Sequence, residues 1–235
     1  MFFGSRGRDK MFGLFRCRTN KRHKRVKGGR TTRRKKIKAS GQVCFPGDAQ
    51  IQKESGEFVP IRDIRVGDRV WAANRDGVQV TSTVIFVPHE PNEEKHKFVQ
   101  LTFAGQRLRL TDLHYLPLWR MDPESGVWSR YIKRAMDVEV GDRLLLEGCQ
   151  QDDLVRKVER DVEAQGVYSF VTDEEFLVVD GVVVSPYGYD LFSHDVYHQI
   201  FNVLRWSYRI APVLNRQPWV AKSIMRVEQF LKETV

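Results

Sequence analysis

At residue 44 the chain changes character, and that seam constrains the fold more than any average over the sequence. Residues 1–43 carry 16 Lys/Arg against a single acidic residue, Asp9. The net charge of the 235-residue chain is +9, yet the remainder holds 23 basic against 29 acidic residues, about −6. The basicity therefore belongs to the leading segment. Its apolar content near the start is confined to Phe2, Phe3, Met11, Phe12, Leu14 and Phe15. That is too little to offset chain entropy, so a disordered basic tail is expected over 1–43.

From Cys44 to about Ser185 the pattern is short strands and turns. Gln79 to Val87 is rich in β-branched residues. His96–Phe103 and Arg107–Thr111 flank Ala104-Gly105-Gln106 and read as a hairpin. Glu175–Val179 and Val182–Ser185 flank Asp180-Gly181, a strong two-residue hairpin signal. Many short strands with such turns predict an all-β sandwich or an unusual barrel. Asp63-Ile64-Arg65-Val66-Gly67-Asp68-Arg69-Val70 recurs as Asp137-Val138-Glu139-Val140-Gly141-Asp142-Arg143-Leu144. This echo reads either as a duplicated β unit with pseudo-twofold symmetry or as two similar strand entries.

After Pro186 the period lengthens. Phe192, Val196, Ile200, Phe201 and Leu204 follow helical spacing, with Ser193 as N-cap. Pro212 and Pro218 interrupt, and Pro218 suits the first turn of a last helix carrying Val220, Ile224, Val227 and Leu231 on one face. The expected organisation is a tail over 1–43, a β domain over 44–187 and a helical extension over 188–235.

A cysteine at the first position of a domain can attack the peptide bond that joins the domain to what precedes it. Breaking the Val43–Cys44 bond needs a thiolate, a proton for the departing nitrogen, and donors for the oxyanion. Thr111-Asp112-Leu113-His114 follows a strand directly and supplies candidates. His114 is expected as general acid, its ordinary pKa lying near working pH, and Thr111 as the group that bonds the scissile peptide or orients the imidazole.

Cys44-Phe45-Pro46-Gly47-Asp48-Ala49, Val66-Gly67-Asp68-Arg69-Val70, Leu110-Thr111-Asp112-Leu113-His114 and Val178 to Ser185 stand in the order seen in Hint domains, the hedgehog/intein self-processing fold. The chain most resembles the hedgehog C-terminal autoprocessing (Hog) domain over about 44–187, and the helical tail is similar to its sterol-recognition region. The resemblance implies a pseudo-twofold all-β Hint fold, Cys44 as nucleophile, and Thr111 and His114 as its assistants. It also implies a thioester resolved by water, a thiol or a lipid or sterol hydroxyl. Val43 stands where hedgehog precursors have glycine. Where that family places an Asp for sterol transfer, this chain reads Val87-Pro88-His89-Glu90, leaving His89 or Glu90 as second-step base. The family's late core cysteine is Ser185 here. Nothing resembling a terminal Asn followed by Cys, Ser or Thr appears after Val184-Ser185-Pro186, so one-sided cleavage is expected rather than splicing.

The resulting expectation is a single-turnover, cysteine-dependent self-cleaving enzyme whose substrate is its own peptide bond, without cofactor. Two other classes remain: a Hint-fold binding module that does not cleave, and a nucleic-acid-binding protein acting through 1–43, whose Lys/Arg runs equally suit anionic membrane. Trp206, Tyr208 and Trp219 with Arg205 and Arg209 suit either a membrane interface or packing onto the domain. His194 and His198 have the i, i+4 spacing of a zinc pair around Asp195, but no third ligand is evident, so no metal is expected. Three cysteines make no disulfide framework. The start lacks an apolar signal region, which predicts a cytoplasmic or nuclear protein, secreted only if the N-terminus is truncated.

Overall fold

The computed structural model describes residues 44–88, 94–146, 153–188 and 194–217, together with 219, 220, 222, 223 and 226. The basic tail, Val43, His89, Glu90, Cys17, Cys149, Ser193 and most of the last expected helix lie outside the described residues.

Among the described residues thirteen strands precede two α-helices. β1 (Gln50–Gln52) pairs with β2 (Phe58–Pro60), and β3 (Arg69–Ala73) with β4 (Gln79–Phe86). β5 (Lys95–Phe103) pairs with β6 (Gln106–Leu110), and β7 (Tyr115–Met121) with β8 (Trp128–Arg134). Then come β9 (Arg143–Leu144), β10 (Lys157–Gln165), β11 (Val171–Thr172), β12 (Phe176–Val179) and β13 (Val182–Val184). All described pairings are antiparallel, in sheets ordered β1-β2, β10-β5-β6, β11-β4-β3-β12-β13 and β8-β7-β9.

Local chemistry accounts for the tight turns. Asp180 and Gly181 have φ of 50° and 75°, and Ala104 and Gly105 have φ of 44° and 76°. Two successive left-handed residues form the turn whose twist matches the flanking strands. The second turn is one residue shorter than expected, because Gln106 enters β6 opposite Phe103.

The sequence echo is a backbone repeat. Arg65 N–H and Glu139 N–H each donate to the carboxylate three residues on, Asp68 and Asp142, at 2.8 Å. Gly67 N–H donates to Val84 O at 2.8 Å and Gly141 N–H to Val155 O at 2.9 Å, with both glycines at left-handed φ, 101° and 96°. Ile64 and Val138 enter the core at equivalent points. The correspondence reaches further back than the echo. Gln50 registers with Pro60 as Tyr115 does with Arg134. Ile61 N–H donates to Ala49 O, and Ala135 N–H to His114 O, both at 2.8 Å. The fold is thus an all-β, pseudo-twofold domain with one core shared by both halves.

α1 (His194–Ile210) packs Phe201, Leu204 and Tyr208 against Ile85, Phe86 and Val171. Val196 and Ile200, grouped with Phe201 and Leu204 by spacing, are instead exposed. At 3.6 residues per turn they lie about 140° and 100° around the helix from Phe201, beyond what one docking face covers. Buried Arg205 donates to the carbonyls of Thr172, Glu174 and His198, to Asn202 Oδ1 and to Tyr187 Oη. Asn215 Nδ2 donates to Ile85 O at 3.1 Å. Pro212 does not merely interrupt: it opens the short α2 (Pro212–Asn215), where its missing N–H costs nothing. Of the aromatic and basic side chains that suit an interface, Trp206 and Trp219 face outward, Tyr208 is packed, and Arg209 pairs with Asp173 at 2.9 Å. No helix among the described residues is long and apolar enough to cross a membrane.

Candidate active site

Two backbone segments meet at the seam residue. Phe45 exchanges main-chain hydrogen bonds with Tyr168 at 2.8 and 2.9 Å, which fixes the strand entering from Cys44. Beside it, β6 ends at Leu110 and the chain turns through Thr111 to His114, closed by His114 N–H donating to Thr111 O at 3.1 Å. The segments clasp each other reciprocally. Thr111 N–H donates to Cys44 O at 3.0 Å, and Cys44 N–H donates to Thr111 Oγ1 at 3.0 Å. Cys44 and His114 are fully buried and Thr111 is 1% exposed.

The clasp bears on the two roles expected of Thr111. Its hydroxyl oxygen meets the Cys44 amide, not the imidazole. The imidazole is oriented by other groups: its Nε2 lies 2.6 Å from Ser185 O, and its ring lies 4.4 Å from that of Phe45, centroid to centroid. A carbonyl only accepts, so Nε2 carries the proton and Nδ1 the lone pair. Nδ1 is buried and has no hydrogen-bond partner among the described residues.

Burial pushes the His114 pKa down to about 4, and the Ser185 carbonyl opposes this only in part. Burial thus favours the neutral imidazole at pH 7. Nδ1 must receive a proton before it can give one. Burial also raises the carboxyl pKa of Asp112 in the same turn.

A polar cleft of about 560 Å³ borders the loop that follows Cys44, with Asp48, Arg62, Arg109 and Tyr168 in its lining. Arg109 pairs with Asp48 at 2.7 Å across it. Val43, His89 and Glu90 lie outside the described residues, so their place relative to Cys44 is not described. Side chains able to hold a metal gather elsewhere, around Glu175 and His194.

The family description "Hint module" matches residues 33–232. The chain belongs to the Hint family. Among curated proteins this Hint chain is 27% identical over 180 residues to the Tiggy-winkle hedgehog protein of Danio rerio, covering 74% of this chain and 42% of that protein. It is 29% identical over 196 residues to Protein hedgehog of Drosophila virilis, covering 79% and 37%, and 26% identical over 182 residues to Warthog protein 4 of Caenorhabditis elegans, covering 71% and 32%. It thus spans less than half the length of these relatives. Among solved structures it is similar to the bacterial intein-like domain from Clostridium thermocellum (TM-score 0.46, 22% identity, 61% of this chain and 98% of that one). An intein from a hyperthermophile gives a TM-score of 0.46 at 16% identity, covering 61% and 99%.

Sequence reasoning missed two parts of this Hint site. The Ser185 carbonyl that fixes the His114 tautomer is a backbone group and leaves no sequence signal. Phe45 adjoins Cys44, yet only the fold turns its ring onto His114.

Proposed function

We propose that this Hint protein cleaves its own backbone at the Val43–Cys44 bond through a thioester, as a single-turnover acyl transfer. The observation that carries the reading is the Cys44 N–H held by Thr111 Oγ1 at 3.0 Å. That nitrogen is the leaving group of the proposed reaction, and here it is fixed by a buried side chain rather than by sheet pairing.

The steps follow from the chemistry of the three side chains. The Cys44 thiol gives its proton to the His114 Nδ1 lone pair as sulfur bonds to the Val43 carbonyl carbon. Thr111 keeps the Cys44 N–H on its oxygen while that nitrogen pyramidalises. The C–N bond then breaks, and Nδ1 returns the proton to the nitrogen. The imidazole ends neutral, with Nε2–H still on Ser185 O. A thioester joins Val43 to Cys44 Sγ. An outside water, thiol or hydroxyl next bonds to the same carbonyl carbon, the C–S bond breaks, and the thiol is restored. Residues 1–43 leave as acid, thioester or ester respectively.

Intact-mass analysis of the wild-type chain beside Cys44→Ala, each with and without dithiothreitol or hydroxylamine, tests this. The expected result is a fragment beginning at Cys44 in the wild type alone, accelerated by the added nucleophile. A folded wild-type chain that stays intact under every condition would overturn self-cleavage.

A further inference from the structure

α1 carries apolar side chains on two opposite faces, and the core uses one of them. Phe201, Leu204 and Tyr208 dock onto Ile85, Phe86 and Val171, with His194 and Arg205 buried on the same side. On the far side stand Val196, Ile200, Val203, Trp206 and Ile210, each between 42% and 68% exposed. At about 100° per residue all five lie within about 60° of Val203, whereas Phe201 and Arg205 lie about 160° from it. Within that arc of α1 the polar members are Gln199 and Ser207. A helix apolar all round is normally covered all round, and a continuous apolar patch of several hundred Å² is uncommon on an isolated chain. Among the described residues this face stays open.

We propose that this face pairs two copies of the chain, α1 against α1, antiparallel about a twofold axis at Val203. A twofold interface must be self-complementary, because each residue meets the one equally far beyond the axis on the other copy. Val196 then meets Ile210, Ile200 meets Trp206, Val203 meets its own counterpart, and Gln199 meets Ser207. Every apolar side chain of the arc thus faces an apolar one, and the two polar side chains face each other. Positions 196, 200, 203, 207 and 210 alternate steps of four and three, the seam of helices that pack at about 20° to one another.

The surface is large enough for the task. The five side chains expose about 500 Å² of apolar area, the apolar share of the roughly 800 Å² that a standard interface takes from each partner. Val213 and Leu214 of α2 follow in sequence and are also exposed. The second copy approaches from the side opposite the core, so pairing leaves the docking of α1 untouched. Lipid is a poorer occupant. A helix lying in an anionic membrane surface carries Lys or Arg beside its apolar face. Beside this face stand Asp195 and Asn202. Arg205 is buried with five acceptors, and Arg209 is tied to both oxygens of Asp173 at 2.9 Å. One helix pair of this size gives a Kd on the order of micromolar.

The test is sedimentation equilibrium of the full chain with Cys44→Ala, which keeps it whole, under a phosphine reductant at about 1 to 100 µM. The mean mass should rise from one chain to two across that range. Val203→Asp sets two carboxylates against each other at the axis, and Val196→Glu sets a charge against Ile210. Each should weaken pairing by about tenfold or more. Both positions are exposed, so the melting midpoints should stay within a few degrees of the parent. Val196→Glu/Ile210→Lys replaces the mismatch by two symmetric ion pairs and should recover pairing. A parent that stays monomeric throughout would overturn the proposal, and its flotation with phosphatidylserine vesicles would assign the face to lipid instead. A dimer that persists in Val203→Asp, or a double variant no stronger than Val196→Glu, would overturn this interface.

Discussion

Acid should unfold this protein partly through His114, and the amount tests whether the imidazole is the neutral, buried group the mechanism needs. Its folded pKa is depressed from an ordinary 6.5 to about 4. The unfolded chain therefore takes up a proton that the folded one refuses. The stabilisation is complete above pH 6.5 and is lost as pH falls toward 4. Between pH 7 and 4.5 the loss through this one group is about 2 kcal/mol. The raw pH dependence cannot isolate it. Half-buried Asp180 has its pKa raised to about 6 by desolvation, so its contribution has the opposite sign and strengthens the fold by a similar amount over the same interval. His194, also pushed down to about 4 by burial, adds to the His114 effect. The decisive comparison is urea unfolding of Cys44→Ala and Cys44→Ala/His114→Gln at pH 7 and 4.5. Glutamine keeps an N–H for Ser185 O but does not titrate. The double variant starts less stable, and its loss between the two pH values should be smaller by about 2 kcal/mol. Identical losses in the two proteins would refute a buried neutral imidazole. Cleavage should follow the same group: steady from pH 8 to 6, then failing toward 4 as Nδ1 becomes protonated.

Thr111→Val removes the oxygen that accepts the Cys44 N–H, leaving a buried amide unpartnered at a cost of about 1–3 kcal/mol. Dithiothreitol-induced cleavage should slow by about 10- to 100-fold, and an unchanged rate would remove Thr111 from the chemistry. Val43→Gly relieves crowding at the attacked carbonyl and should speed the same reaction by about tenfold; a slower reaction would count against attack at that bond. Asp180→Asn keeps the acceptor for Gln50 N–H, tolerates the left-handed φ of 50°, and removes a desolvated charge. Its melting midpoint at pH 7 should rise by a few degrees, and a fall would show that the charge is compensated. A Cβ at Gly47 would lie 2.9 Å from the Tyr168 ring, so Gly47→Ala should cost about 1–3 kcal/mol in urea unfolding; a stability unchanged from the parent would show that the ring yields.

The turns at Asp180-Gly181 and Ala104-Gly105 are legible in sequence because the requirement for left-handed backbone is local. So is the entry of each half, since the Gly-Asp pairs at 67–68 and 141–142 make the same bonds wherever they stand. The cysteine, threonine and histidine are legible as residue types at a seam and after a strand. Their mutual placement is not, because Cys44 and Thr111 meet across 67 positions only in the folded chain. The tautomer of His114 depends on a carbonyl 71 positions away, and its protonation on complete burial. The docking face of α1 is equally hidden: its sequence has apolar residues over a wide arc, and only contact with β4 selects Phe201 and Leu204 over Val196 and Ile200.

The twofold repeat explains how an asymmetric site arises on a symmetric backbone. Ala49 N–H donates to Pro46 O, and His114 N–H donates to Thr111 O, both at 3.1 Å, so the two turns are equivalent. In one half the two positions hold Pro46 and Ala49, which have no hydrogen-bonding side chain. In the other they hold Thr111 and His114, and the clasp between the halves brings them to the first residue of the domain. The same clasp seals the proposed nucleophile, with Cys44 fully buried. A cysteine hydrolase acting on outside substrates must leave its sulfur open to each new arrival. A chain that acts on the bond it already carries has no such need, since its substrate is in place before the core closes. Complete burial of Cys44 and His114 thus argues for a tethered substrate more strongly than the residue types do. In the proposed mechanism Nδ1 carries a proton between two atoms of one residue, the sulfur and the nitrogen of Cys44, with no bulk solvent needed in between.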